Sequence, residues 1–192
     1  MMSGFHAFWS LGVLLGSIAT SLFLEWNISL LNNVIIYVII LLPLNIFIVL
    51  RLDIDQVEDK NNKTNIFFIW PLIIFVLALI AMVNALTEGS VDSWGALYMR
   101  DFIKVDGFLI GLATVSFNIF MVIGRLSGDW FRDKIGVYNL LTILFSLSIL
   151  SLYLLYSYNN IIVAIFGFAL LGIGSSAIVP IAYSLAGKVE GI

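Results

Sequence analysis

The sequence has no cysteine, a single histidine and few charged side chains. Without cysteine the chain cannot form disulfides, thiolate nucleophiles or cysteine-bound metal sites. The one histidine, His6, cannot form a histidine cluster for a metal. No stretch resembles the phosphate-binding loop of a nucleotide-driven pump. We therefore expect no metal, no cofactor and no ATP-driven pumping by this chain.

Charged residues make up 11% of the chain, whereas a soluble domain carries roughly 25%. Hydrophobic residues make up 61%, and the mean hydropathy is +1.10. Because so few charges cannot solvate a globular surface, the composition predicts an integral membrane protein whose solvent is the lipid bilayer. The net charge of −3 is too weak to indicate or exclude a nucleic-acid partner, but the chain has no basic stripe that could contact phosphates, so no nucleic acid is expected.

Six apolar runs are each long enough to cross a hydrocarbon core of about 30 Å, which takes about 20 residues of helix. They cover residues 5–24, 28–50, 65–86, 108–124, 137–157 and 161–187. The runs do not alternate apolar with polar residues, so membrane β-strands are not expected. The sequence therefore predicts an all-α fold, a polytopic membrane bundle of six transmembrane helices.

Short polar connectors separate these runs. Residues 25–27 and 158–160 are predicted as tight turns, 100–107 as a charged turn, and the very polar stretch 51–64 as a linker. The stretch 124–136 holds a dense cluster of charges and is predicted as a loop at the membrane surface.

Lysine and arginine are unevenly distributed between the two sides of such a bundle. One side carries seven: Arg51, Lys60, Lys63, Arg125, Arg132, Lys134 and Lys188. The other side carries two, Arg100 and Lys104. Because positive charge resists translocation, the side with seven, which includes both termini, is expected to be cytoplasmic.

Three polar residues in and after the third run, Asn84, Glu88 and Asp92, are spaced four apart. On a continuous helix they share one face. A carboxylate at membrane depth is costly and usually faces a polar cavity or binds a proton, so this face is a candidate substrate or proton site. Alternatively, both acids lie in the outer headgroup layer, where water solvates them. Gly89 and Ser90 mark a predicted break in this helix.

Small residues recur at four-residue intervals in the first and sixth runs. The stripes are Gly12, Gly16 and Thr20, and Gly172, Ser176, Pro180 and Ser184. Such stripes let helix backbones approach closely, so we expect helix packing here rather than contact with a solute. Pro180 lacks a backbone N–H and is expected to kink the sixth helix. Asn118, inside the fourth run, is a candidate for the substrate site; alternatively, its side chain forms a hydrogen bond to a neighbouring helix.

Arg125 and Asp129 are also four apart and can pair along a helix end. Two interpretations stay open for these charges. In one they lie in a solvated loop and only set topology; in the other they form a latch between helix ends that opens and closes.

An intramembrane protease would need a serine and a histidine on neighbouring helices. His6 lies at the membrane edge, and Ser175 and Ser176 match a serine motif only faintly. No enzymatic activity is therefore expected.

The charged stretch resembles the cytoplasmic signature of the major facilitator superfamily, in the copy between its eighth and ninth helices. Asp133-Lys134-Ile135-Gly136 is similar to the second part of that signature and Gly124-Arg125-Leu126 to its start. Three further stretches are similar to helices of the fucose-permease-like branch of that family: residues 5–17 to its fifth helix, 88–98 to its seventh and 172–187 to its tenth.

The resemblance implies a partial major facilitator fold, a fragment that covers about helices five to ten of twelve. Residues 1–50 would be the last two helices of the N-terminal half, 51–64 the cytoplasmic central linker, and 65–192 the first four helices of the C-terminal half. The implied cytoplasmic latch motif consists of Gly124, Arg125, Asp129, Asp133, Lys134 and Gly136.

The resemblance also implies a function. The chain would be part of a secondary active transporter that moves a small solute across a bacterial inner membrane by alternating access, with protons as the candidate coupling ion. The missing helices or a partner chain would complete it. The alternative is a non-transporting six-helix membrane subunit or scaffold that needs a partner chain.

Overall fold

The computed structural model describes residues 2–51 and 72–187, with side chains from Phe8 onward. Its α-helices are α1 (Met2–Glu25), α2 (Leu30–Arg51), α3 (Leu72–Leu97), α4 (Leu112–Ile135), α5 (Val137–Ser157), α6 (Ile161–Ser176) and α7 (Ile178–Ala186). A π-helical segment, Tyr98–Ile103, and a 3-10 helix, Gly107–Gly111, connect α3 to α4. The predicted linker 51–64 lies, apart from Arg51, outside the described residues.

Six helical stretches in the described ranges are long and apolar enough to cross a membrane, and those ranges contain no strand. The all-α membrane bundle predicted from the sequence is therefore confirmed. The turns predicted at 25–27 and 158–160 also fall at helix junctions, with Glu25 as the last residue of α1. At the second turn the Asn160 side chain accepts hydrogen bonds from the N–H groups of Ile162 and Val163 and caps α6.

The prediction of a loop over 124–136 is wrong, because α4 continues as a helix to Ile135. The charges support this extension: Arg132 pairs with Asp129 at 3.1 Å, three residues earlier on the helix. The Lys134 ammonium lies 4.7 Å from the centre of the Trp130 ring. The helix ends only at Gly136, whose φ of 82° suits glycine and strains other residues.

The break predicted at Gly89 and Ser90 is also wrong, because α3 runs through both residues without interruption. One glycine costs a helix only about 1 kcal/mol, which this long apolar helix tolerates. The helix departs from α geometry later, at the π-helical segment, which ends at Lys104 with a left-handed φ of 65°. Arg100, predicted in a turn, therefore lies on this π-helical segment.

Helix α6 lies at the centre of the described bundle, packed against α4 on one side and α5 on the other. Its glycines make this close approach possible. A Cβ at Gly172 would overlap the carbonyl oxygen of Phe117 on α4, and a Cβ at Gly174 would lie 2.9 Å from the carbonyl oxygen of Leu144 on α5. The stripe predicted on the sixth run thus lies in a helix contact.

The stripe on α1 behaves differently. A Cβ at Gly12 or Gly16 would meet nothing within 4 Å. Helix α1 instead contacts α4 and its preceding 3-10 helix through another face, where the Ser21 hydroxyl fills the space left by Gly111. The carbonyl of Gly16 accepts a hydrogen bond from the Tyr37 hydroxyl of α2 at 3.0 Å.

We predict that Gly172→Ala and Gly12→Ala change stability in opposite directions. The first places a methyl group against the backbone of α4 and should lower the free energy of unfolding by about 1–3 kcal/mol. The second places a methyl group in open space and should gain up to about 1 kcal/mol from helix propensity. Thermal unfolding in detergent measures both. Equal shifts for the two variants would contradict the packing described for α6.

Candidate functional site

A buried ion pair joins α4 to α3. The guanidinium Nη2 of Arg125 lies 3.0 Å from Oε1 of Glu88 and 3.2 Å from its Oε2. The Arg125 side chain is 2% exposed and the Glu88 side chain 22%. A terminal nitrogen that donates to both carboxylate oxygens makes one of the stronger charge-assisted contacts available to these side chains.

The pair joins two helices that are each long and apolar enough to cross a membrane. Glu88 is 16 residues after Leu72 and 15 before Ile103, the ends of its span. Arg125 is 10 residues before Ile135, and the charged residues Asp129, Arg132, Asp133 and Lys134 lie between them. Arg125 is therefore buried on a helix and does not lie in a solvated loop.

Arg125 has further partners on two other helices. The hydroxyl of Ser10, on α1, accepts a hydrogen bond from Nη1 of Arg125, and the carbonyl of Ser176, at the end of α6, accepts one from Nε at 3.2 Å. On the acid's side, the Asn84 amide donates to Glu88 Oε1 at 2.8 Å. A single guanidinium therefore connects α1, α3, α4 and α6.

This arrangement satisfies the condition under which charges are tolerated in lipid. Two buried ions lose several kcal/mol of hydration each, and their mutual attraction offsets this loss only when hydrogen bonds satisfy the remaining donors and acceptors. Chemically, the pair can change state by one proton. A proton on the Glu88 carboxylate would remove its negative charge and with it the attraction for Arg125.

The structure separates the sequence candidates into two groups. Asn84 and Glu88 belong to the buried ion pair. Asp92, one turn further along α3, is exposed and lies outside the ion pair. Asn118 is buried and donates to the carbonyl of Thr114 at 2.9 Å, one turn earlier on its own helix.

The predicted latch residues are divided in the same way. The sequence predicts that Arg125 pairs with Asp129, but in the structure Arg125 pairs with Glu88. Arg132 pairs instead with Asp129 at 3.1 Å and with Asp133 at 3.3 Å. A Cβ at Gly124 would overlap the Ser176 hydroxyl, so Gly124 allows α4 and α6 to approach each other. The remaining charges lie at the exposed end of α4.

The role of Arg125 was missed because the fourth run was ended at Gly124. A pattern in the sequence does mark it. The buried positions Ala113, Phe117, Met121 and Arg125 follow one another every four residues along α4. A residue on that stripe lies on the packed face of the helix whatever its charge. Extending the helix through the charged stretch would have placed Arg125 in the core.

A second polar contact holds the other end of α1 to α4. The Glu25 carboxylate accepts a hydrogen bond of 2.9 Å from the backbone N–H of Phe108, in the 3-10 helix before α4. Gly107, with a φ of 60°, permits this approach, since a Cβ there would overlap the carboxylate. Helix α1 is thus bound to α4 by Ser10 towards one end and by Glu25 at the other.

An apolar cavity of about 780 Å³ opens between α3, α5 and α6. Aromatic and aliphatic side chains line most of it, among them Trp94, Phe145, Leu152 and Phe168, while Ser148 and Ser175 add hydroxyls. Of the residues weighed for a protease, Ser175 and Ser176 are buried in α6, and the His6 side chain lies outside the described residues. Within the described ranges no group of three His, Cys, Asp or Glu side chains could hold a metal.

We predict that removing one charge of the buried pair costs more than removing both. Arg125→Met leaves a buried carboxylate without its partner and should lower the free energy of unfolding by about 3–5 kcal/mol. Adding Glu88→Gln to that variant should recover much of the loss, because no unpaired charge remains. Unfolding of the four proteins in detergent gives the coupling between the two sites. Additive effects would show that the two residues do not depend on each other.

We also predict that Glu25→Ala destabilises the contact between α1 and α4, whereas Glu25→Gln retains it. Alanine leaves the Phe108 N–H without its acceptor and should cost about 0.5–1.5 kcal/mol. Glutamine keeps a carbonyl oxygen at the same position and serves as the matched control. Thermal unfolding compares the two variants; a glutamine variant as unstable as the alanine variant would contradict a role for this hydrogen bond.

Comparison with known proteins places the chain in a family. The sequence profile of the Major Facilitator Superfamily matches residues 1–189. The chain is 28% identical over 189 residues to an uncharacterized MFS-type transporter of Yersinia pestis, covering 98% of this chain and 48% of the relative. It is 27% identical over 191 residues to an uncharacterized transporter of Sinorhizobium fredii, covering 97% and 49%.

A third relative is the membrane protein MosC of Rhizobium meliloti, 27% identical over 137 residues, which are 71% of this chain and 34% of the relative. No solved structure matches the chain. The chain spans about half the length of the first two of these relatives. The match to the family profile covers nearly every residue, and the chain therefore belongs to the major facilitator superfamily.

Proposed function

We propose that this chain is part of a secondary active transporter that moves a small solute across the membrane by alternating access. The family supports a transporter, and six membrane-spanning helices support a path through the bilayer. The observation that carries the proposal is the Arg125–Glu88 pair. Ionisable residues within membrane spans are expensive and are most often found on ion or substrate pathways.

The pair provides a coupling site of a simple kind. In the ionised state Glu88 holds Arg125, and Arg125 holds Ser10 of α1. A proton taken from water onto the Glu88 carboxylate leaves a neutral acid, which attracts the guanidinium far less. The contact between α3 and α4 is then weakened, and the helices around Arg125 can move relative to one another. Coupling of solute movement to protons would follow from this step.

We further propose that the chain corresponds to helices five to ten of a twelve-helix transporter. Helix α1 then belongs to the first half and α4 to the second, so the contacts through Ser10 and Glu25 cross between the halves. The remaining helices or a partner chain would complete the solute path. The uneven distribution of Lys and Arg supports cytoplasmic termini in a bacterial inner membrane.

A second candidate is a non-transporting membrane subunit or scaffold that binds a partner chain. The observation that favours it is helix α2, of whose apolar span only 6% is buried within the described structure. The open cavity between α3, α5 and α6 is consistent with the same need for further helices. The transport experiment below separates the two functions.

We predict that Glu88→Gln abolishes proton-coupled transport by the complete protein, while Asp92→Asn leaves it near the wild-type rate. Glutamine cannot take up a proton at neutral pH, whereas Asp92 is exposed and outside the ion pair. The assay uses proteoliposomes with an entrapped pH dye, to which a panel of sugars and drug-like cations is added. A fall in proton flux of at least about tenfold is expected for Glu88→Gln.

Solute exchange without net proton movement provides the control for correct folding of the Glu88→Gln protein. Wild-type flux and pH dependence in that variant would rule out Glu88 as the coupling site. No flux with any solute, in a wild-type protein that is stable and holds a defined partner, would instead support the subunit.

A further inference from the structure

The site depends on a backbone carbonyl that the helix itself does not use. In an α-helix the N–H of each residue bonds to the carbonyl four positions earlier. Pro180 has no N–H, so the carbonyl four positions earlier, that of Ser176, receives no such bond. This is where the helix divides: α6 ends at Ser176, and α7 begins at Ile178. The next donor, the N–H of Ile181, binds Ala177 at 3.0 Å.

The carbonyl oxygen of Ser176 accepts instead from Nε of Arg125, at 3.2 Å. Ser176 is 1% exposed and Pro180 is also buried, so water cannot easily replace either partner. An unpaired carbonyl at such a position costs free energy comparable to a lost hydrogen bond. The proline therefore creates an acceptor, and the arginine occupies it.

This contact fixes the orientation of the guanidinium. The group is planar, and its five N–H donors point in set directions. With Nε held by the Ser176 carbonyl, rotation about the end of the side chain is restricted, and Nη2 points at Glu88 while Nη1 reaches Ser10. Any other residue at position 180 would bring its own N–H to the same carbonyl, whose two lone pairs would then be shared between the helix bond and Arg125.

We infer that Pro180 is a positioning residue for the Arg125–Glu88 pair: it withholds its N–H from the Ser176 carbonyl and so leaves the acceptor that orients the guanidinium. The consequence for transport rests on the proposed function, whereas the positioning itself rests on these contacts. When Glu88 becomes neutral, Arg125 stays attached to α6 through Ser176, so α3 is the helix that is released.

The test is a mutant cycle read by thermal unfolding of the whole chain in detergent. Pro180→Ala is introduced into the wild type and into the Glu88→Gln/Arg125→Met protein, which has no donor at position 125 and no unpaired charge. The matched control is Pro43→Ala. Pro43 also lies inside a helix, α2, and α2 contributes no partner to the described contacts of the ion pair.

In the background without Arg125, the Pro180→Ala substitution gives the orphan carbonyl of Ser176 its helix partner and should raise the melting temperature. In the wild type the new N–H has to share the Ser176 carbonyl with Arg125. The shift in melting temperature should therefore be lower than in the other background by about 2–4 °C or more. Pro43→Ala should change the melting temperature by the same amount in both backgrounds. Equal shifts for Pro180→Ala in both backgrounds would overturn the inference and leave Pro180 as a helix break alone.

If the double-variant background does not fold, Arg125→Lys replaces it, because lysine keeps the charge and has no Nε–H donor at this position. Transport by the complete protein provides a separate result. A difference between the backgrounds together with normal proton flux in Glu88→Gln would support the positioning role and reject the coupling proposed for Glu88. Loss of proton flux in Glu88→Gln, with equal shifts for Pro180→Ala in both backgrounds, would support the coupling proposed for Glu88 and reject the positioning role of Pro180.

Discussion

The structure depends on one guanidinium in the lipid-spanning part of the bundle. Arg125 contacts Ser10, Glu88 and Ser176, and so links α4 to α1, α3 and α6. Lipid gives no general hydrophobic attraction between apolar helices, so packing and hydrogen bonds have to determine their arrangement. A buried charge imposes a stricter requirement than packing does, because every donor left without an acceptor costs free energy. The pair thus determines which helices contact one another and also stabilises that contact.

Close packing then sets the distances that this polar contact needs. Gly172 lets α6 lie against the backbone of α4, and Gly124 makes room on α4 for Ser176. Both contacts lie on the same pair of helices as the hydrogen bond from Arg125 to the Ser176 carbonyl. The glycines bring the two backbones together, and the arginine can then reach across the short gap that remains. Small residues and a large charged residue therefore act on one interface.

Much of this could be predicted from the sequence, for identifiable reasons. Apolar runs longer than a bilayer give the number of helices, and the spacing of Asn84, Glu88 and Asp92 gives their shared face. Helix ends were harder, because the charges of 124–136 read as a surface loop although their pairing along the helix stabilises it. The partner of Glu88 depends on how α3 and α4 pack, which no local pattern contains. The stripe from Ala113 to Arg125 was the one indication available.

The seam between α1 and α4 has a mechanical consequence. The contact between Ser21 and Gly111 lies 11 residues from Ser10 and 4 from Glu25. At 1.5 Å per residue these distances are about 16 Å and about 6 Å, so α1 is a lever with unequal arms. If the helix tilts about Ser21, a small separation at Glu25 becomes a displacement roughly three times larger at Ser10. In that case, rupture of the hydrogen bond between Glu25 and Phe108 would move Ser10 relative to the Arg125 guanidinium by more than the gap opened at Glu25.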